Sequence, residues 1–297
     1  MTPHIDDIRL NFSEDRLILL NLCLAFIMFG IALDLRPSDF RQLIKNPKST
    51  LVGLASQFLL LPALTALLIF IFKPLPSMAM GLILVASCPG GNVSNFISTL
   101  SKGNIALSVT LTGLASTFAI ILTPLNFAFW SQLLPEGSRF QQDFAIDPWQ
   151  VVQTIITLLA IPLAMGMYIT HRFPGFVARI KRPVRILSIV FFAGFVVAAF
   201  AANFDYFTQY IHLILLIVFV HNALAFAGGY GLASAFRLDQ PTRRSITIET
   251  GIQNSGLALV ITFNFFDGIG GMAIISGWWG IWHLISGSLL GYYWSRR

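Results

Sequence analysis

The sequence predicts an all-α, polytopic membrane protein, and three observations carry that prediction. Hydrophobic residues make up 56% of the 297 and charged residues only 11%, with a mean hydropathy of +0.75; soluble domains usually carry about 25% charged residues. Apolar runs long enough to cross about 30 Å of hydrocarbon as helices recur along the whole chain. Two of those runs are interrupted near the middle by polar residues, which points to internal repetition.

Nine apolar windows qualify, at about 16–36, 50–72, 77–101, 104–131, 149–170, 184–203, 207–236, 244–266 and 269–295, and they read as one domain over residues 1–297. Basic residues fix the orientation. Fifteen Lys and Arg, from Arg36 through Lys102 and Arg185 to Arg297, fall on one side; only Arg9, Arg16, Lys73 and Arg139 fall on the other, together with nine of the thirteen acids. The N-terminus is therefore expected outside and the C-terminus in the cytoplasm, in a cell's inner (plasma) membrane. The +6 net charge is thus a topology signal and excludes a nucleic-acid partner. The first sixteen residues lack the basic stretch and cleavage site of a signal peptide, so no leader is expected to be removed. Cys23 and Cys88 both lie in apolar runs, which leaves neither a disulfide framework nor a thiol metal site. Trp130, Trp149 and Trp294 fall near span ends, as an interfacial aromatic belt requires. Residues 36–49 read as a connector with a short interfacial helix.

The third window holds PGGNVSN at 89–95, and the eighth, SITIETGIQNSGLALVITF, holds Glu249, Gly251, Gln253 and Asn254. Inside a bilayer an unbonded backbone group costs several kcal/mol, so irregular chain survives only against protein or a water-filled cavity. Such a pair of interruptions marks the midplane site of an inverted-repeat transporter. Windows one to four would then match six to nine, with the fifth unpaired and Gln57 opposite the His221-Asn222 region. Glu249 is the only acid well inside a span, at a cost of roughly 2.5 kcal/mol or more. With Ser94, Asn95, Ser108, Thr112, Gln57 and Gln253 as neutral oxygen donors, one carboxylate suits a monovalent cation such as sodium better than calcium or magnesium. Ser108 and Thr112, four residues apart, share a helix face. Proton coupling through Glu249, a protonated glutamate held by its neighbours, and a span boundary that leaves Glu249 beside Arg243 and Arg244 are the other readings. The half-helix starts after each break favour an anion.

The run PGGNVSN, then LSVTLT at 107–112, then ETGIQN at 249–254 resembles the bile acid:sodium symporter family over almost the whole chain. The resemblance implies a core domain (about 50–131 and 207–295) beside a panel domain (about 16–36 and 149–203), with two broken helices crossing in the core. It implies sodium-driven symport of an organic anion by alternating access. Its first sodium site falls on Ser94, Asn95, Ser108, Thr112 and Glu249. Its second falls on Gln57, Glu249 and Gln253, with backbone oxygens at Thr250 and Ile252. Asn92, Asn254 and His283 match positions near substrate. Thr250 and Thr262 add hydroxyls near the crossing. The chain follows a nine-helix plan, where many bacterial relatives of the family have ten. An arsenite efflux permease is the nearest alternative, because Cys88 precedes the first break. No nucleotide loop, triad or ligand-spaced histidines point to an enzyme. Sodium, a small organic anion and the lipid bilayer are the expected partners, with no obligatory protein partner.

Overall fold

Proline and polar punctuation cut the apolar chain into helices. In the computed structural model, which describes residues 5–10, 14–33, 46–91, 93–134, 153–154 and 156–297, helices follow one another and no strand forms among the described residues. Helix α1 is Glu14–Ala32, α2 Pro47–Phe72, α3 Pro76–Ser87, α4 Val93–Leu100 and α5 Ile105–Gln132. Then come α6 (Ile161–Arg172), α7 (Pro174–Ala202), α8 (Phe204–Ala235), α9 (Gln240–Gly251), α10 (Ser255–Phe265) and α11 (Gly270–Ser295). Pro47, Pro76 and Pro241 open α2, α3 and α9 within the first two positions, where the missing N–H costs nothing. Lys73, at φ 46°, closes α2 in the left-handed conformation.

The third and eighth apolar windows each form two half-helices, α3/α4 and α9/α10. The order long helix, half-helix pair, long helix occurs twice, as α2, α3/α4, α5 and as α8, α9/α10, α11. Among the described residues, four stretches are long and apolar enough to cross a membrane: Pro47–Phe72, Ile105–Gln132, Ile214–Ala235 and Gly270–Ser295. Together with the shorter apolar helices Leu17–Ala32, Pro76–Ser87 and Ser255–Phe265, they make the chain an all-α multi-pass membrane protein. Asn92, Trp149 and most of the 36–49 connector lie outside the described residues.

Packing sorts the helices. α1, α6 and α7 lie against one another; α9 runs along α8, α3 packs on α11 and α5, and α4 sits among α5, α9 and α11. The two groups meet where α1 touches α10 and where the turn before α6 touches α5. Leu82, Ile83 and Leu84 of α3 are fully buried with Val260 of α10 and Ile275 and Trp279 of α11. Ile71, Ile121, Leu216 and Leu289 are more than half exposed, as residues facing lipid should be.

Two π turns, Ser56–Leu60 and Ile156–Ala160, each lie just before a proline, Pro62 and Pro162. Proline lacks the N–H of the regular ladder and its ring crowds the carbonyl four residues back, so the preceding turn widens. The first of these turns carries Gln57. At the chain start, Asp6 Oδ1 accepts from Ser77 N (2.9 Å), and Arg9 bridges to Ile269 and pairs with Asp267 at 3.7 Å.

Candidate binding site at the crossed helix breaks

At the crossing, Gly90 and Gln253 form an antiparallel bridge between the two unwound segments. Gly91 N donates to Ile252 O (2.8 Å) and Asn254 N donates to Pro89 O (2.8 Å). A two-residue ribbon therefore satisfies backbone that has left its helix, which is the requirement for irregular chain at membrane depth. Each break is also held by the long helix that precedes it in its own repeat. Gly90 N donates to Gln57 Oε1 of α2 (3.1 Å), and Asn222 Nδ2 of α8 donates to Gly251 O (2.8 Å). The correspondence of Gln57 with the His221-Asn222 region thus has a physical form. Ser286 of α11 donates to Asn222 Oδ1 (2.5 Å) and fixes that amide.

Glu249, in the last turn of α9, is fully buried within the protein. Its Oε2 accepts from Ser94 Oγ (2.6 Å) and Ser108 Oγ (3.3 Å), and its Oε1 accepts from Thr112 Oγ1 (2.7 Å). Asn95 Oδ1 lies 2.8 Å from the Ser108 hydroxyl and 3.3 Å from that of Thr112 and competes with Glu249 for their single protons. All five side chains of the first expected cation set converge from α4, α5 and α9. Ser108 and Thr112 present one face of α5, as their spacing predicts. Ser98 of α4 joins them, its Oγ accepting from Ser108 Oγ at 3.1 Å. It escaped the sequence reading, although Ser94 and Ser98 repeat the same four-residue spacing.

Two glycines are required by close approach. A Cβ at Gly90 would lie 2.4 Å from Glu249 Oε1, and one at Gly251 would lie 2.2 Å from the Phe226 ring. The breaks therefore let the carboxylate touch the backbone of the opposite segment and let α8 press against the end of α9.

The second expected set is arranged differently. Gln253 Nε2 donates to Thr250 O (2.8 Å), Ile252 O takes the Gly91 N–H, and Gln57 Oε1 takes the Gly90 N–H. Gln253 Oε1 and Gln57 Nε2 are buried without a hydrogen-bond partner among the described residues. Thr250 Oγ1 bonds to Ser56 Oγ (2.6 Å) and back to Ile246 O (2.7 Å). Thr262 lies two turns along α10, bonded back to Ala258 O (2.8 Å), so its hydroxyl serves its own helix and not the crossing.

Asn254 caps α10, accepting from Leu257 N at 3.0 Å. With His283 of α11 it lines a cavity of about 360 Å³ between the crossing and the α1 and α7 helices. Gly30, Gly91, Gln253 and Ser188 line it as well. His283 is 4% exposed and its Nδ1 has no partner among the described residues. Cys88, by contrast, sits in the main apolar cluster with Leu84 and Val85.

A family model described as the sodium bile acid symporter family matches residues 21–210. The uncharacterized sodium-dependent transporter YocS of Bacillus subtilis is 30% identical over 279 residues, which cover 94% of this chain and 83% of that protein. The probable chloroplastic sodium/metabolite cotransporter BASS2 of Oryza sativa is 31% identical over 276 residues, 92% of this chain and 63% of its own length. BASS1 of Arabidopsis thaliana, described in the same terms, is 26% identical over 92% of this chain. The chain spans most of YocS and between about half and two thirds of several longer relatives. These are transporters and not enzymes, as the sequence leads one to expect. With its crossed half-helices, its match to the family model and a relative of this identity along nearly its whole length, the chain belongs to the sodium bile acid symporter family.

Proposed function

We propose that the chain is a sodium-coupled symporter that carries an organic anion across the plasma membrane by alternating access, with its N-terminus outside and its C-terminus in the cytoplasm. The observation that carries this reading is the Glu249 cluster. A fully buried carboxylate accepts from three hydroxyls, two of which also lie against the Asn95 amide oxygen, and among the described residues no Lys or Arg is a hydrogen-bond partner to it. It also lies in the last turn of α9, where the helix dipole and outward carbonyls are negative. Negative charge on negative helix end is stable at this depth only with a cation, and hydroxyl, amide and carboxylate oxygens select a hard, weakly charged one. In this reading Ser94, Asn95, Ser108, Thr112 and Glu249 hold one sodium ion. Gln57, Glu249, Gln253 and the Thr250 and Ile252 carbonyls hold a second.

The anion binds on the other flank, where α4 and α10 begin and their free N–H groups favour negative charge. Asn254 and His283 line that cavity, and Asn92 belongs to the same break by sequence. Core helices α2–α5 and α8–α11 carry the ions, while α1, α6 and α7 form the panel against which the core moves. Two sodium ions per monovalent anion move one net charge, so each 100 mV contributes about 2.3 kcal/mol. The names of YocS and BASS2 support sodium coupling.

Uptake of a panel of labelled organic anions into proteoliposomes, with and without an inward sodium gradient, tests the reading. Accumulation that requires sodium is expected. Accumulation driven by a pH gradient alone would replace sodium by a proton at Glu249, and uptake indifferent to both gradients would end the symport proposal.

A further inference from the structure

The cavity beside the crossing holds more unsatisfied polarity than its apolar walls suggest. Four side-chain atoms on residues that line it have no hydrogen-bond partner among the described residues: Ser188 Oγ, Gln253 Oε1, Ser255 Oγ and His283 Nδ1. Their residues are 5%, 1%, 2% and 4% exposed. Each such group costs about 1–3 kcal/mol when left unmade, so four together mark a surface built to be completed by a polar ligand.

Three of the four come from the crossing and α11. The fourth, Ser188, comes from α7 and lies over α1, since a Cβ at Gly30 would approach Ser188 Oγ to 3.1 Å. Arg185 lines the same cavity and stands three residues before Ser188, on the same helical face. The charge count placed Arg185 on the cytoplasmic side, at the start of the sixth apolar window. The helix begins earlier, at Pro174, and puts the exposed Arg185 on the cavity wall, where it is the only Lys or Arg among the described lining residues. Across from it, α10 begins at Ser255, and the start of that helix also favours negative charge.

We propose that Arg185, with Ser188 one turn along, selects the anionic group of the substrate, gripping it from α7 while Asn254, Ser255 and His283 hold it from the crossing. This rests on the symporter reading and adds a specificity residue to it. The two halves of the grip stand on different helix groups, so the anion is completed by ligands from both only when those groups come together around it. A planar guanidinium pairs with a carboxylate through two parallel hydrogen bonds, which a neutral isostere cannot match. The favoured substrate is therefore one that carries a carboxylate.

The test uses the full chain in proteoliposomes, labelled small monocarboxylates as substrates, and the matching primary amides as competitors. Wild-type uptake is expected to be inhibited by free acid and not by amide. In Arg185→Gln the KM for the acid is expected to rise about tenfold or more, the usual scale for a charged hydrogen bond, and the preference for acid over amide to disappear. Arg185→Lys should recover part of both. The sodium concentration for half-maximal uptake and the stabilisation of the protein by sodium alone should stay at wild-type values in each variant. An unchanged KM together with an unchanged acid preference in Arg185→Gln overturns the inference while sodium-driven uptake stands. Absence of sodium-stimulated accumulation of every acid in the wild type overturns the symporter reading and this inference with it.

Discussion

The two flanks of Glu249 differ in how finished they are. On one side, the Ser94, Ser108 and Thr112 hydroxyls already reach the carboxylate at 2.6 to 3.3 Å, with Asn95 Oδ1 beside the Ser108 and Thr112 hydroxyls. On the other, Gln57, Gln253, Thr250 and Ile252 spend their polar groups on holding the two breaks together. The first arrangement needs only hydroxyl rotation to turn oxygen lone pairs toward an ion. The second has its Gln57 and Ile252 oxygens already committed to the Gly90 and Gly91 N–H groups, and only Gln253 Oε1 is buried without a partner among the described residues. The difference teaches that preorganisation and structural support compete for the same atoms at a helix crossing. It also suggests an order, in which the hydroxyl side binds first and the amide side follows.

The largest effect that would break this comparison is at the shared carboxylate. Glu249→Gln is expected to weaken apparent sodium affinity by at least about a hundredfold, the scale of losing a fully desolvated charge partner, in sodium-titrated uptake. Sodium dependence that survives both Glu249→Gln and Glu249→Ala in expressed protein removes the carboxylate as a ligand. Thr112→Val keeps the shape and deletes the 2.7 Å donor to Oε1; about fivefold to thirtyfold weaker sodium activation is expected, equivalent to about 1–2 kcal/mol. Gln253→Ala sharpens the contrast between flanks, because it should lower the Hill coefficient for sodium from about two toward one while uptake at saturating sodium persists. An equal loss of both features would make the flanks a single unit. Asn222→Ala removes the amide that holds Gly251 O and should lower thermal stability by about 1 kcal/mol in a melting curve, with sodium affinity changed less than in Thr112→Val. Cys88→Ser is expected to leave transport unchanged; loss of transport in a folded Cys88→Ser variant would revive thiol chemistry at the first break.

Much of the site could be read in advance because its chemistry is local. Ser108 and Thr112 announce a shared face by their spacing, and Glu249 announces itself by its cost in an apolar run. Gly90 and Gly91 after Pro89 announce a break. The π turn that carries Gln57 was missed, although Pro62 is its cause and was visible. Ser286 and Ser56 were missed for a different reason: each bonds a residue far away in sequence, Asn222 and Thr250, and nothing in their own neighbourhood sets them apart from serines that bond back to their helix. Arg185 was counted only as a cytoplasmic charge at the start of the sixth window, whereas the helix extends through it from Pro174. Thr262 looked equivalent to Thr250 by composition and lies away from the crossing because α10 carries it two turns on.

Apolar length, charge asymmetry and paired interruptions by themselves determined a multi-pass helical chain with two broken spans and a lone buried acid, since lipid leaves backbone few alternatives to helix and makes each exception expensive. Only the tertiary structure decided which carbonyls and amides satisfy the breaks and which hydroxyls share Glu249. It also decided which buried polar atoms are left without a partner on residues that line a cavity. Those outcomes depend on the packing of α2, α5, α8 and α11 around the crossing, and long-range hydrogen bonds leave no periodic trace in the chain that forms them.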